Sequence, residues 1–218
     1  NCGFALAPCG PEDHEWYARC LEAVEDIPTE AMMSGIDWNW ETFPEYFANV
    51  ERLPKGINYG AYIGHSALRM YVMGKRALDQ AATEEDLAAM AFHVQQALKA
   101  GAIGFSTSRS PTHVTPDGTP VPSRIAEWRE LEHLVSAMAE LNAGVFQIGP
   151  DIASGAHARI FYEELRKVCL NTGRRVMFSL AETSQGEDPV SYQTQLDFID
   201  QVVADGGNIW GQSTTRSI

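Results

Sequence analysis

The side chains of this 218-residue sequence that could do chemistry recur in one setting, at or just after short apolar runs. His65, Ser66 and Arg69 follow the run at 59–63. Ser106, Thr107, Ser108 and Arg109 follow the run at 102–105, with His113 in the stretch beyond. Gln147 lies near the end of the run at 145–148, and Asp151 comes after it. Ser179 and Glu182 close the run at 176–180, and Gln212 and Arg216 close the run at 208–212. Asn1, Cys2 and Gly3 open the sequence in the same way. The planar guanidinium of Arg69 or Arg109 could clamp a carboxylate bidentately. His65 and Glu182 could exchange protons as acid and base. Gln147 and Gln212 could orient a polar ligand or satisfy each other. His14, His93, His133 and His157 fall away from these positions. Metal spacing is sparse, with no H-x-H and no H-E-x-x-H. Cys2 and His65 are isolated candidate ligands, fewer than a zinc site requires.

The elements that must position these groups alternate. Thr83 is a suitable N-cap, followed by Glu84, Glu85 and Asp86 in the positively polarised first turn. Leu87, Met90, Ala91, Val94 and Leu98 recur at helical spacing up to Gly101. Ile125, Trp128, Leu131, Val135 and Met138 form a second stripe. Ile160, Phe161, Leu165 and Val168 form a third, and Tyr192, Leu196, Ile199 and Val203 a fourth. Each stripe leads into a short apolar run, a pattern that predicts parallel strands joined by right-handed helical crossovers. Five strands are expected from Tyr59 onward, and a sixth ending at Asn1. In such folds the site lies at the carboxyl ends of the strands, where the polar residues above collect. The stretch 9–54, rich in Trp, Pro and acids, is expected to be an inserted segment with helices near 16–24 and 42–53. The stretch 110–123 is expected to be a long loop.

A net charge of -13 argues against nucleic acid and anionic membranes as partners. The hydrophobic share of 44% suits a buried core, and no apolar run approaches the roughly 20 residues of a membrane span. Cys2, Cys9, Cys20 and Cys169 form no disulfide framework, which favours a reducing, cytoplasmic setting. The opening at Asn1, without Met, reads as the interior of a longer polypeptide.

Three segments resemble a known family. Asn1-Cys2-Gly3-Phe4-Ala5-Leu6-Ala7-Pro8 resembles the GNCG-x-S-x-AP segment of the N-acyl-D-amino-acid deacylases (D-aminoacylases). Gly64-His65-Ser66-Ala67-Leu68-Arg69 resembles their VGH-x-x-LR segment, and Ala100 to Thr107 their AGA-x-GFST segment. The resemblance implies a (β/α)₈ TIM barrel of the metal-dependent amidohydrolase type with a flanking β domain. It implies release of an acyl group from a D-amino acid by zinc-activated water, with Cys2 as a metal ligand. The family's H-x-H strand would lie before Asn1 and its catalytic base beyond Ile218. Residues 1–218 are therefore expected to be the central part of one barrel, about strands 2 to 7. The first and last strands and the flanking β domain fall outside, and the segment alone is expected to be inactive. Gln147 and Ser179-Leu180 stand where strand-end histidines are expected, and Ser108-Arg109 replaces a Gly-Leu step, which marks a divergent member.

Within this frame the expected substrate-binding residues are His65, Arg69, Ser108, Arg109, His113, Gln147, Glu182 and Gln212. The expected partners are a small amide substrate and either the remaining segments of the same polypeptide or a second copy. Two other readings stay open. One is a metal-free barrel binding a carboxylated molecule through Arg69 or Arg109. The other is a metal-independent barrel enzyme using Glu182 and His65.

Overall fold

The elements of the chain follow from local capping and from one repeated packing problem, and a computed structural model describes residues 4–25, 27–180 and 190–213. Three helices come first: α1 (His14–Glu25), α2 (Thr29–Gly35) and α3 (Phe43–Arg52). Strand β1 (Tyr62–Gly64) runs directly into α4 (His65–Met73). Then follow α5 (Glu84–Lys99), β2 (Gly104–Ser108), the short α6 (Pro122–Ile125), α7 (Trp128–Glu140) and β3 (Val145–Gly149). Helix α8 (Gly155–Thr172), β4 (Arg175–Ser179), α9 (Tyr192–Ala204) and β5 (Ile209–Gln212) complete the order.

Helix α5 shows why these boundaries arise. The Thr83 hydroxyl accepts from the Asp86 amide at 3.2 Å, and the Asp86 carboxylate accepts from the Thr83 amide at 3.0 Å. Two of the amides left over at the helix start are thereby satisfied. Ser154 and Ser191 each cap their helix, α8 and α9, by accepting from an amide of the first turn.

The five strands form one parallel sheet in the order β1-β2-β3-β4-β5. Each crossover moves to the adjacent strand, as in a (β/α) barrel. The register separates two faces. Ile63, Phe105, Phe146, Val176 and Ile209 align on one. All five are buried, and with Ile148 and Phe178 they join Leu131, Leu134, Phe161 and Leu165 of the helices in the main core. On the other face Gly64, Ser106, Gln147, Met177 and Trp210 align. Gly104 lets β2 and β3 approach: an added Cβ there would come within 1.9 Å of the Val145 carbonyl oxygen.

The expected α/β architecture, five parallel strands and the helices between them are all present. Several details differ; strand β2 runs over Gly104–Ser108 rather than 102–105, so Ser106, Thr107 and Ser108 lie within it. The first strand begins at Tyr62 rather than Tyr59. Helix α2 is an element the apolar pattern did not single out. Ile160, Leu196 and Val203 are exposed, Ile160 to 59%. The buried line of α8 runs through Ala158, Phe161, Tyr162, Leu165 and Val168, and Ile160 lies about 200° around the helix from Ala158. The expected strand at Asn1 lies outside the described residues.

The segment 9–54 and the residues before it are held by buried polar anchors. The Tyr17 hydroxyl donates to the Ala67 carbonyl of α4 at 2.8 Å, and the Trp40 indole donates to the Leu6 carbonyl at 2.8 Å. Cys9, Cys20 and Cys169 are all buried. No helix among the described residues is long and apolar enough to cross a membrane.

Candidate functional site at the carboxyl ends of the strands

Gly64 ends β1, and His65 is the first residue of α4, so the imidazole turns towards the helix-covered side of the sheet. It is fully buried. Its Nδ1 lies 2.8 Å from the Thr107 hydroxyl and its Nε2 2.6 Å from Glu130 Oε1. One helical turn later Arg69, also fully buried, donates through Nη1 to Glu130 Oε2 and through Nη2 to the Gln80 carbonyl at 2.7 Å. Glu130 sits in the first turn of α7 and is 3% exposed.

The charges in this cluster can be assigned. Burial holds the His65 imidazole below its ordinary value and outweighs the opposing pull of Glu130. Burial would raise the Glu130 carboxyl, but the hydrogen bond from His65 and the charge of Arg69 hold it below the usual carboxylate range. The consistent state is a neutral His65 donating from Nε2 and accepting at Nδ1 from Thr107, beside an Arg69–Glu130 ion pair. Arg69 thus finds its carboxylate within the chain, on α7. His65 and Arg69 tie α4, β2 and α7 together on the helix-covered side of the sheet.

The opposite face carries a different set. Ser106 and Gln147 are register partners, both buried. Ser106 Oγ and Gln147 Oε1 have no hydrogen-bond partner among the described residues. One pleat further on, Ser108 Oγ lies 2.6 Å from His113 Nδ1 and accepts from the Ser110 amide at 3.1 Å. Gly149, opposite Ser108, leaves room for this hydroxyl, since a Cβ there would lie 2.9 Å from Ser108 Oγ. The loop is fastened from below: Ser123 Oγ donates to the Ser108 carbonyl at 3.0 Å, and Ser66 Oγ accepts from the Ser123 amide at 3.1 Å. Burial, aided by the charge of Arg124, holds His113 below its ordinary value, so a neutral imidazole stands at the rim.

Arg109 follows β2, and its amide extends the ladder to the Gly149 carbonyl at 2.8 Å. Its guanidinium lies 4.9 Å from the centre of the Trp128 ring. Burial pushes it down to about 10, against the pull of Glu130 and Asp151. Gln212 ends the edge strand β5 and is exposed, beside its register partner Ser179. Cys2, Glu182 and Arg216 lie outside the described residues. The expected residues therefore fall into a helix-side cluster (His65, Arg69), a concave-face row (Ser108, His113, Gln147), Arg109 at the rim and the separate Gln212.

The pattern of apolar runs passed over Glu130, took Trp128 only as part of a helical stripe, and counted Ser106 among the strand-end polar residues but not among the expected substrate-binding ones. Glu130 left a signal: with Leu134 and Met138 it falls at i, i+4 and i+8, which puts a carboxylate on the apolar stripe of a helix. Among the described residues no group of three or more His, Cys, Asp or Glu is placed to hold a metal ion. The described residues therefore do not fit a zinc centre by themselves.

No protein-family model matches the chain. An uncharacterized protein of Mycobacterium tuberculosis is 32% identical over 172 residues, which cover 74% of this chain and 27% of that protein. The D-aminoacylase of Alcaligenes xylosoxydans xylosoxydans is 34% identical over 107 residues, 49% of this chain and 19% of that enzyme. A crystal structure of N-acyl-D-glutamate deacylase from Bordetella bronchiseptica, complexed with zinc and a phosphonate inhibitor, superposes with a TM-score of 0.72 at 24% identity. That match covers 97% of this chain and 39% of the deacylase. The chain thus spans about a quarter of the length of the first of these relatives, 27%.

Proposed function

From the chain's kinship with the N-acyl-D-amino-acid deacylases of the amidohydrolase superfamily, we propose that the protein hydrolyses the C–N bond of a linear amide, an N-acyl-D-amino acid. One observation carries this reading. In a fold shared with deacylases, the concave face at the ends of β2 and β3 presents buried hydrogen-bonding atoms without partners among the described residues, Ser106 Oγ and Gln147 Oε1. A few convergent polar groups are what orient a small polar substrate. Ser106 can donate to an acyl carbonyl, and Gln147 can accept from an amide N–H. His113, with Nδ1 taken by Ser108, can present Nε2–H at the rim. A metal, where one is bound, would polarise the amide carbonyl and supply activated water. No group of three or more candidate ligands lies among the described residues, and the role of Ser106, Gln147 and His113 is to bind and orient the substrate.

The setting proposed is cytoplasmic, supported by the buried free thiols of Cys9 and Cys169. The proposed partners are the substrate and further strands. Among the described residues, β1 and β5 each pair on one side only, and an open edge recruits another strand, from the same polypeptide or a second copy.

The test is amine release by the full-length polypeptide from N-acetyl-D-amino acids, their L enantiomers and uncharged amides, with zinc supplied. Turnover of the D series supports the proposal. Absence of turnover on every amide, from folded and metal-supplemented protein, refutes it.

A further inference from the structure

Arg109 is a half-buried cation whose hydrogen-bonding capacity is largely unused. Nη1 makes one long bond, 3.4 Å, to the Arg124 carbonyl. Nε and Nη2 are buried and have no partner among the described residues. These two atoms lie on the same edge of the planar guanidinium, and their N–H bonds point the same way. That edge is one with which arginine grips a carboxylate through two parallel hydrogen bonds.

The surroundings leave a positive charge without a bonded counter-ion among the described residues. Glu130, the nearby buried carboxylate, already serves His65 through one oxygen and Arg69 through the other. Asp151, half-buried in the loop after β3, acts on Arg109 electrostatically, and its carboxylate accepts from the Ala153 amide at 3.4 Å. His65 is neutral, and Arg69 adds a second positive charge nearby. Trp128, at the N-terminal end of α7, lies beside the guanidinium, and that helix end favours an anion. Burying a cation with two unpaired donors is costly unless something pairs it. The backbone is fixed by the β2–β3 ladder, and the guanidinium rests against the Trp128 ring.

We propose that the Nε–Nη2 edge of Arg109 is a binding site for the carboxylate of a small ligand, taken bidentately beside Trp128. It lies on the helix side of the strand end, separate from the Ser106–Gln147 row on the concave face. It stands independently of the hydrolytic reading, because it requires only binding.

The experiment is calorimetric titration of the full-length protein with acetate, N-acetylglycine, uncharged N-acetylglycinamide and inorganic phosphate. Acetate and N-acetylglycine should bind saturably, and the uncharged amide more weakly by roughly ten- to a hundredfold, the scale of a lost charge-assisted pair. Arg109→Leu should lose the same factor, and Arg109→Lys should recover only part of it, since an ammonium cannot reproduce the fork. Asp151→Asn should bind as well or more tightly, because a competing carboxylate has gone. Carboxylate binding that is equal in the wild type and in a folded Arg109→Leu variant would overturn the site. So would loss of thermal stability shared by Arg109→Leu and Asp151→Asn with no change in binding, which would make Asp151 the true counter-ion. Arg109-dependent binding of phosphate but not of carboxylates would overturn the assigned ligand class.

Discussion

Glu130 and His65 are separated by 65 positions in the sequence, yet their side chains meet at 2.6 Å in the interior, each almost without solvent exposure. The carboxylate is shared with Arg69. One acid therefore neutralises one cation and fixes the tautomer of one imidazole at the junction of α4, β2 and α7.

Removing that acid leaves a buried guanidinium unpaired. Glu130→Ala should lower the unfolding free energy by about 3–5 kcal/mol. The double variant Glu130→Leu with Arg69→Met should cost less than the sum of the two single changes, because no orphan charge remains. Urea unfolding of the four proteins in the cycle measures this, and additive losses would exclude the coupling.

Stability should depend on pH in one direction. His65 is held below its ordinary value in the folded state, so the unfolded chain takes up its proton first as pH falls. The contribution is complete above about pH 6.5, the unfolded imidazole value, and is lost as pH drops towards the folded value. Glu130 is also held low, so its contribution is complete above the unfolded carboxylate value near pH 4.3 and fades further down. Melting temperatures should be level above neutrality and fall below about pH 6.5. His65→Gln should flatten the upper part of that fall; an unchanged profile would argue against a neutral His65.

Ser106 and Gln147 should behave in the opposite way to Glu130. Their unused atoms contribute little to folding, so Ser106→Ala and Gln147→Met should leave stability within about 0.5 kcal/mol or raise it. If these atoms orient the substrate, turnover should fall by roughly tenfold or more. Paired melting and turnover assays would reveal a stability loss without an activity loss, the outcome that rules out the substrate role.

Gly104→Ala should be among the most damaging small changes, because the new methyl would strike the Val145 carbonyl. A loss of more than about 3 kcal/mol, or failure to accumulate soluble protein, is expected. The comparable Gly118→Ala, with open space around it, should cost only the strain of its positive φ. Equal behaviour of the two variants in expression and melting would count against the tight β2–β3 approach.

The strands and the long helices were legible in the sequence because buried parallel strands are short apolar runs and their helices carry clear caps. Thr83 with Asp86 is one case, and the phase of Leu87, Met90 and Val94 is another. Helix α2 was not, since seven residues are too few for a periodic stripe to stand out. The ends of strands were legible as places but not as directions. Alternation assigns a side only while the strand lasts, and His65, one residue past β1, turns with its helix to the opposite side from the mouth. The partner of Arg69 could not be read from neighbours in sequence either, because the acid it binds is 61 positions away.

The end of β2 is built from four consecutive residues that alternate between two addresses. Ser106 and Ser108 answer to the concave face, while Thr107 and Arg109 answer to the helix layer. The thickness of one backbone insulates the two. Substitutions that retune what the concave side recognises can therefore accumulate without loosening the His65–Thr107–Glu130 joint behind it.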